Sequence, residues 1–178
     1  AAGATPDDDA HRAAFDYLLG DWEFEGRRKE PGGEHPFKGR WTAICTPDNR
    51  TLVDEYRVID PAGKTVYVTT TLRAFHPLEH RWSIVSIEPS GAFAEGKAWK
   101  DGADMRIEQQ FGARKLRFRY FDIGPDRFSW VGSAPDAKGE YVEYQWLQAR
   151  RVGPPRTAIQ SDTQARVTAL AAYLREGR

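Results

Sequence analysis

The sequence predicts an all-β chain: a closed up-and-down antiparallel β-barrel of about ten strands, with a short N-terminal helix and a C-terminal helical tail. Three observations predict it. From Asp21 to Arg151 the apolar residues recur with period two, the runs are divided by short segments rich in Gly, Pro, Asp and Asn, and no helical periodicity interrupts them. Short connections force antiparallel neighbours. An open sheet of ten such strands would leave two edges of unpaired backbone, and closing the sheet on itself removes both.

Length and charge agree with a single core. A chain of 178 residues has the size of one domain and buries roughly 70% of its unfolded surface. Its 26 basic and 26 acidic side chains cancel and are interspersed, so no basic footprint for nucleic acid is present. Cys45 is the single cysteine and forms no internal disulfide, which leaves the redox compartment open. No apolar run approaches the ~20 residues of a membrane-spanning helix, so a soluble protein is expected. The opening AAGATPDDDA lacks a methionine. That suits a secreted or periplasmic mature end left by signal-peptide cleavage, and equally a trimmed cytoplasmic chain.

The elements follow in order. In TPDDDAHRAAFDYLLG, Thr5 can cap, Pro6 fits the first helical position, and Asp7 to Asp9 sit at the positive end of the dipole. His11, Phe15, Leu18 and Leu19 share a face of that helix, and Gly20 is placed to end it in a left-handed turn. Strand runs are then expected at Asp21 to Lys29, Phe37 to Thr46, Thr51 to Ile59, Thr65 to Phe75 and Arg81 to Glu88. Five more follow at Ala92 to Lys100, Asp104 to Phe111, Lys115 to Ile123, Arg127 to Gly132 and Tyr141 to Arg151. EPGGEHP, TPDNR, DPAGK, HPLEH, EPSG and their successors are the turns. The barrel domain is thus expected over residues 1–152 and a Pro-containing connector with a helix over 153–178. In that helix Ser161 and Gln164 have capping-box spacing, and Val167, Leu170, Ala171 and Leu174 share a face that could close a barrel end or pack on a second copy in a homodimer.

The aromatic residues suggest what fills the barrel. All six tryptophans fall within or at the start of strand runs, and alternation groups Trp22 with Phe24, Trp41 with Phe37, Phe128 with Trp130, and Phe118 with Tyr120. A barrel of this many strands is wider than its side chains easily fill, which leaves room for a small ligand. Trp41, Trp82, Trp99, Phe118, Tyr120, Trp130 and Tyr144 are the candidate ligand-binding residues, and the expected partner is a hydrophobic or aromatic small molecule.

Charged residues within strands form alternating sets: Glu55 with Arg57, Arg106 with Glu108, and Arg117 with Arg119. Half of every barrel strand faces water, so such sets ordinarily form a solvated face. Were one to point inward, the alternative function would be a cofactor-independent cyclase, isomerase or hydratase. Glu55 or Glu108 would serve as its base, with Arg73 or Tyr120 stabilising negative charge. No G-x-S-x-G, P-loop, G-x-G-x-x-G or H-E-x-x-H is present. His76-Pro77-Leu78-Glu79-His80 gathers two imidazoles and a carboxylate but lacks the four protein ligands of a structural zinc site, so it reads as a hairpin turn. No metal and no cofactor is expected.

The N-terminal helix, Gly20-x-Trp22 opening the first strand, and a last strand ending in Arg150-Arg151 resemble the calycin superfamily of lipocalin-like barrels. FDYLLGDWEFEG together with PDRFSWVGSAPDAKGEYVEYQWLQARR is similar to a bacterial lipocalin-like family of unknown function, related in architecture to nitrobindins and fatty-acid-binding proteins. The resemblance implies that Trp22 closes one end of the barrel and that Arg150 or Arg151 packs across its face. Nitrobindins bind haem through a histidine in the C-terminal strand. Here that strand, YVEYQWLQARRV, has none, and His11, His35, His76 and His80 are expected in the helix or loops, so haem binding is not implied.

Overall fold

The computed structural model describes residues 11–45 and 51–155. The expected loop TPDNR, the capping residues Thr5 and Pro6 and the C-terminal helix lie outside the described residues. Ten strands form one closed barrel: β1 (Gly20–Glu30), β2 (Gly33–Cys45), β3 (Thr51–Ile59), β4 (Thr65–His76), β5 (Arg81–Ile87), β6 (Phe93–Asp101), β7 (Asp104–Phe111), β8 (Arg114–Phe121), β9 (Arg127–Pro135) and β10 (Tyr141–Gly153). Each strand pairs antiparallel with its sequence neighbours, and β10 returns to pair with β1 along Asp21–Arg28. Closure gives every strand a paired neighbour on both sides, which is the solution the short turns predict.

Two boundaries differ instructively from the sequence pattern. EPGGEHP is not a loop: β1 and β2 run through it to a tight turn at Pro31-Gly32, with Glu30 paired to Gly33. Pro36 is accommodated because β2 pairs with β3 only from Lys38 onward, so at Pro36 the second side of β2 is an edge with no ladder bond to lose. Before β1, the described part of the N-terminal helix is His11 and Arg12 in α-helical conformation followed by a short 3₁₀ segment, Ala13–Leu18. Gly20 then adopts φ +111°, and a Cβ there would lie 2.6 Å from Arg151 Nη1, so only glycine fits both the turn and the contact.

Across the barrel the inward residues alternate in size along one transverse row. It runs Phe75, Trp82, Ala98, Ile107, Phe118, Gly132 from β4 to β9. Two bulky side chains followed by a small one let the large ones interdigitate over the gap. This sets the orientation of β6: Ala94 and Ala98 are fully buried with Gly96 between them, and Trp99 faces outward.

One end of the barrel is sealed. Phe15 and Leu18 of the 3₁₀ segment are fully buried there, with Phe15 edge-on to Trp82 (centroids 5.3 Å apart) and to Tyr120 (6.0 Å). Trp22, also fully buried, donates its indole N–H to the Leu18 carbonyl at 2.8 Å, tying plug to strand. Arg151 holds its guanidinium carbon 4.1 Å from the centre of the Trp22 ring and donates to the carbonyls of Tyr17, Leu19 and Pro125. Arg150, one residue earlier, points outward to Glu23. The alternation of the strand thus assigns the closing role to Arg151 alone.

Candidate ligand-binding site

Above the plug the barrel encloses a cavity of about 520 Å³, open at the end opposite Trp22. That volume suits a small ligand. Its walls differ. From β2, β3 and β8 to β10 come Trp41, Tyr56, Phe118, Trp130 and Tyr144, with the Phe118 and Trp130 rings stacked at 5.2 Å. From β4, β5 and β7 come Thr69, Thr71, Ser86 and Gln109, joined by Thr71–Ser86 (2.8 Å) and Gln109–Ser86 (2.7 Å) hydrogen bonds. One wall offers mainly ring faces, and the other sets hydroxyls and an amide among Tyr67, Ile84, Ile107 and Phe111.

The floor carries charge. Asp54 and Arg73 are 2% and 3% exposed and meet through an Arg73 Nε to Asp54 Oδ2 bond of 2.6 Å. Trp41 Nε1 donates to the other carboxylate oxygen at 2.7 Å. From across the barrel the Tyr120 hydroxyl accepts from Arg73 Nη2 at 3.1 Å, and below, Phe15 lies 4.6 Å under the guanidinium carbon. Burial raises the Tyr120 pKa to about 12 against the pull of Arg73, so its hydroxyl stays protonated at neutral pH. Burial opposes the charge of Arg73, but Asp54 and Tyr120 outweigh it and raise its pKa. Arg73 Nη1 is buried without a hydrogen-bond partner among the described residues.

Tyr144 reaches the cavity through a β-bulge. Glu143 pairs with Ser133 and Gln145 with Gly132, which leaves Tyr144 as the extra residue. The bulge breaks alternation, so the adjacent Tyr144 and Gln145 both line the cavity while Trp146 turns outward to Lys29 and Glu143. Gly132 makes the room: a Cβ there would lie 2.9 Å from the Trp130 ring and 3.3 Å from Tyr144. Gln145 continues the polar lining, donating to the Tyr56 hydroxyl at 3.0 Å and accepting from Arg28 Nε at 3.1 Å. Burial raises the pKa of Tyr144 against the nearby Arg28 and Arg114, which lie at the mouth with Glu88.

Of the candidates from sequence, Trp41, Phe118, Tyr120, Trp130, Tyr144 and Arg73 come together in this cavity. Trp82 points inward but lies at the sealed end, packed on Phe15 and Phe75 and donating to the His11 carbonyl, so it belongs to the closure. Trp99 is on the outer wall with Arg106 and Arg119. Glu55 and Glu108 are outward too. Glu55 pairs with Arg57 and its side chain is 43% exposed, while Glu108 bonds Arg117 outside the barrel. The cavity carboxylate is instead Asp54, one residue from Glu55, and Leu52, Tyr56 and Val58 on the same face were the signal for it. No histidine lines the cavity; His35 lies in β2 and His76 ends β4, both exposed. HPLEH is a hairpin turn with a short 3₁₀ piece at Pro77–Glu79, and Glu79 is taken by Arg81.

No family model and no curated protein matches the chain. Among solved structures, the crystal structure of Rv2717c from M. tuberculosis superposes with a TM-score of 0.62 at 17% identity, covering 84% of this chain and 99% of that one. The S-type phycobiliprotein lyase CPES from Guillardia theta superposes with a TM-score of 0.58 at 9% identity, covering 83% and 98%. Likeness at such identities speaks for the fold alone. Together with the closed strand order, it shows a shared fold, the ten-strand up-and-down antiparallel β-barrel.

Proposed function

We propose that the protein binds a small, largely hydrophobic or aromatic molecule inside the barrel. The observation that carries this reading is the lined cavity itself: about 520 Å³, one wall of aromatic faces, a facing wall that sets hydroxyls and an amide among apolar side chains, and a mouth at one end only. Apolar enclosure supplies most of the affinity in such sites, and a few placed polar groups fix orientation.

The enzymatic alternative finds less support. Glu55 and Glu108 lie outside the barrel, and both oxygens of Asp54 are already engaged by Trp41 and Arg73, which suits an anchor for Arg73 better than a proton acceptor. Native mass spectrometry of freshly purified protein, with displacement of a hydrophobic fluorophore, tests the binding reading. A stoichiometric adduct or saturable displacement is expected. No occupancy across a broad lipid and aromatic panel would remove it.

A further inference from the structure

The charges of the cavity are distributed along its axis, and their arrangement speaks to the ligand. At the floor the one guanidinium is neutralised by the one carboxylate, since Arg73 Nε bonds Asp54 at 2.6 Å with both side chains buried. The pair has no net charge to offer an anion. What it does offer are unspent donors: Arg73 Nη1 has no partner, and the Tyr120 hydroxyl, which accepts from Arg73 Nη2, uses its own hydrogen nowhere among the described residues. A buried N–H of a guanidinium without an acceptor is unfavourable, and any acceptor that arrives relieves that cost. An anionic head would leave the floor with an excess negative charge in a low-dielectric interior, whereas a neutral acceptor would not.

The mouth has the opposite bias. Arg28 and Arg114 line it against the single carboxylate Glu88. Arg28 has a long 3.9 Å ion pair to Glu30, and Arg114 has no ion pair among the described residues. Both guanidiniums act on Tyr144, which places them about the same opening. A negative group is favoured there while it remains partly hydrated.

We infer that the ligand enters with a polarity: an uncharged acceptor, a carbonyl oxygen or heteroaromatic nitrogen, goes down to Arg73 and Tyr120, and an acidic group stays at the mouth beside Arg28 and Arg114. Planar ring systems fill the span between, against Phe118 and Trp130. This inference rests on the binding function proposed above and specifies its ligand class.

Three planar probes of one ring framework separate the parts: fluorene, 9-fluorenone, which adds the carbonyl, and 9-fluorenone-4-carboxylate, which adds the acid. Affinities are read by quenching of cavity tryptophan fluorescence and by calorimetry. Fluorenone is expected to bind about tenfold tighter than fluorene, a margin that Tyr120→Phe reduces. The carboxylate is expected to bind a further several-fold tighter, with that increment falling at high salt and lost in the surface variant Arg28→Gln/Arg114→Gln. Equal binding of fluorene and fluorenone overturns the floor assignment, and weaker or salt-independent binding of the carboxylate overturns the mouth assignment. Failure of all three probes, together with an empty barrel by native mass spectrometry, counts against the binding function itself, a result distinct from either.

Discussion

Consider replacing Asp54 by Asn, which keeps the shape and removes the charge. Arg73, 3% exposed, then holds an unbalanced guanidinium in the barrel, and Trp41 retains an acceptor. Breaking a buried ion pair from one side typically costs about 3–5 kcal/mol, because the remaining charge is desolvated without compensation. For a domain of this size that corresponds to a fall in Tm of roughly 6–20 °C. Arg73→Met leaves Asp54 in the same position. That leaves a buried carboxylate with no cation beside it and should cost a similar amount. The double variant Asp54→Asn/Arg73→Met removes both charges and should recover most of the loss, since neutral replacements of buried pairs are often well tolerated. Urea unfolding of the four proteins gives the cycle directly. A single variant within about 1 kcal/mol of wild type, or a double variant as unstable as the sum of the singles, refutes the reasoning. A double variant that is stable but binds fluorenone little tighter than fluorene is the expected signature of a pair retained for the ligand.

The remaining predictions concern closure, ionisation and the lining. Arg151→Gln forfeits the contact with Trp22 and bonds to three carbonyls and should lose about 2–4 kcal/mol in urea unfolding, whereas Arg150→Gln, whose bridge to Glu23 is solvent-exposed, should change stability by less than ~0.5 kcal/mol. Tyr17, Tyr56, Tyr120 and Tyr144 all have pKa values raised by burial, Tyr120 to about 12, so their folded forms hold protons that the unfolded chain releases near pH 10. Stability should therefore decline above pH 10, and absorbance at ~295 nm should show these four ionising only as the barrel opens; early ionisation of all tyrosines while the protein stays folded contradicts the burial. Glu55→Gln and Glu108→Gln should leave probe affinity unchanged, while Trp130→Ala, which removes the ring stacked on Phe118, should weaken a planar probe by about fivefold or more in the same quenching titration.

Much of the wall was legible in the chain. The period-two runs and their short Gly- and Pro-bearing turns specify consecutive antiparallel hairpins, and with this many strands closure follows from the cost of exposed edges. Trp22 is legible too, through the family resemblance that Gly20-x-Trp22 and the late arginines carry. Which side of a strand faces inward is harder to read, because apolar content does not always decide it. In β4 the inward face is Tyr67, Thr69, Thr71, Arg73 and Phe75, while Val66, Val68 and Leu72 face out. In β6 the large Trp99 is displaced to the surface because Trp82 and Ile107, paired on either side of Ala98, already occupy the interior.

The binding site depends on facts that no local stretch contains. Asp54 and Glu55 are neighbours in sequence, and the pleat alone sends one to the cavity and the other to water. Arg73 and Tyr120 lie 47 residues apart and meet only because closure brings β8 across from β4. The bulge at Tyr144 shifts the register of β10 against β9 and turns two consecutive side chains inward, which strict alternation forbids. Local backbone preferences and turn chemistry therefore determined, from the sequence by itself, that this protein is a barrel of hairpins, and the family resemblance added the plug at Trp22. Only the tertiary structure decided what the barrel presents inside, since register and closure are settled by packing among side chains far apart in the chain.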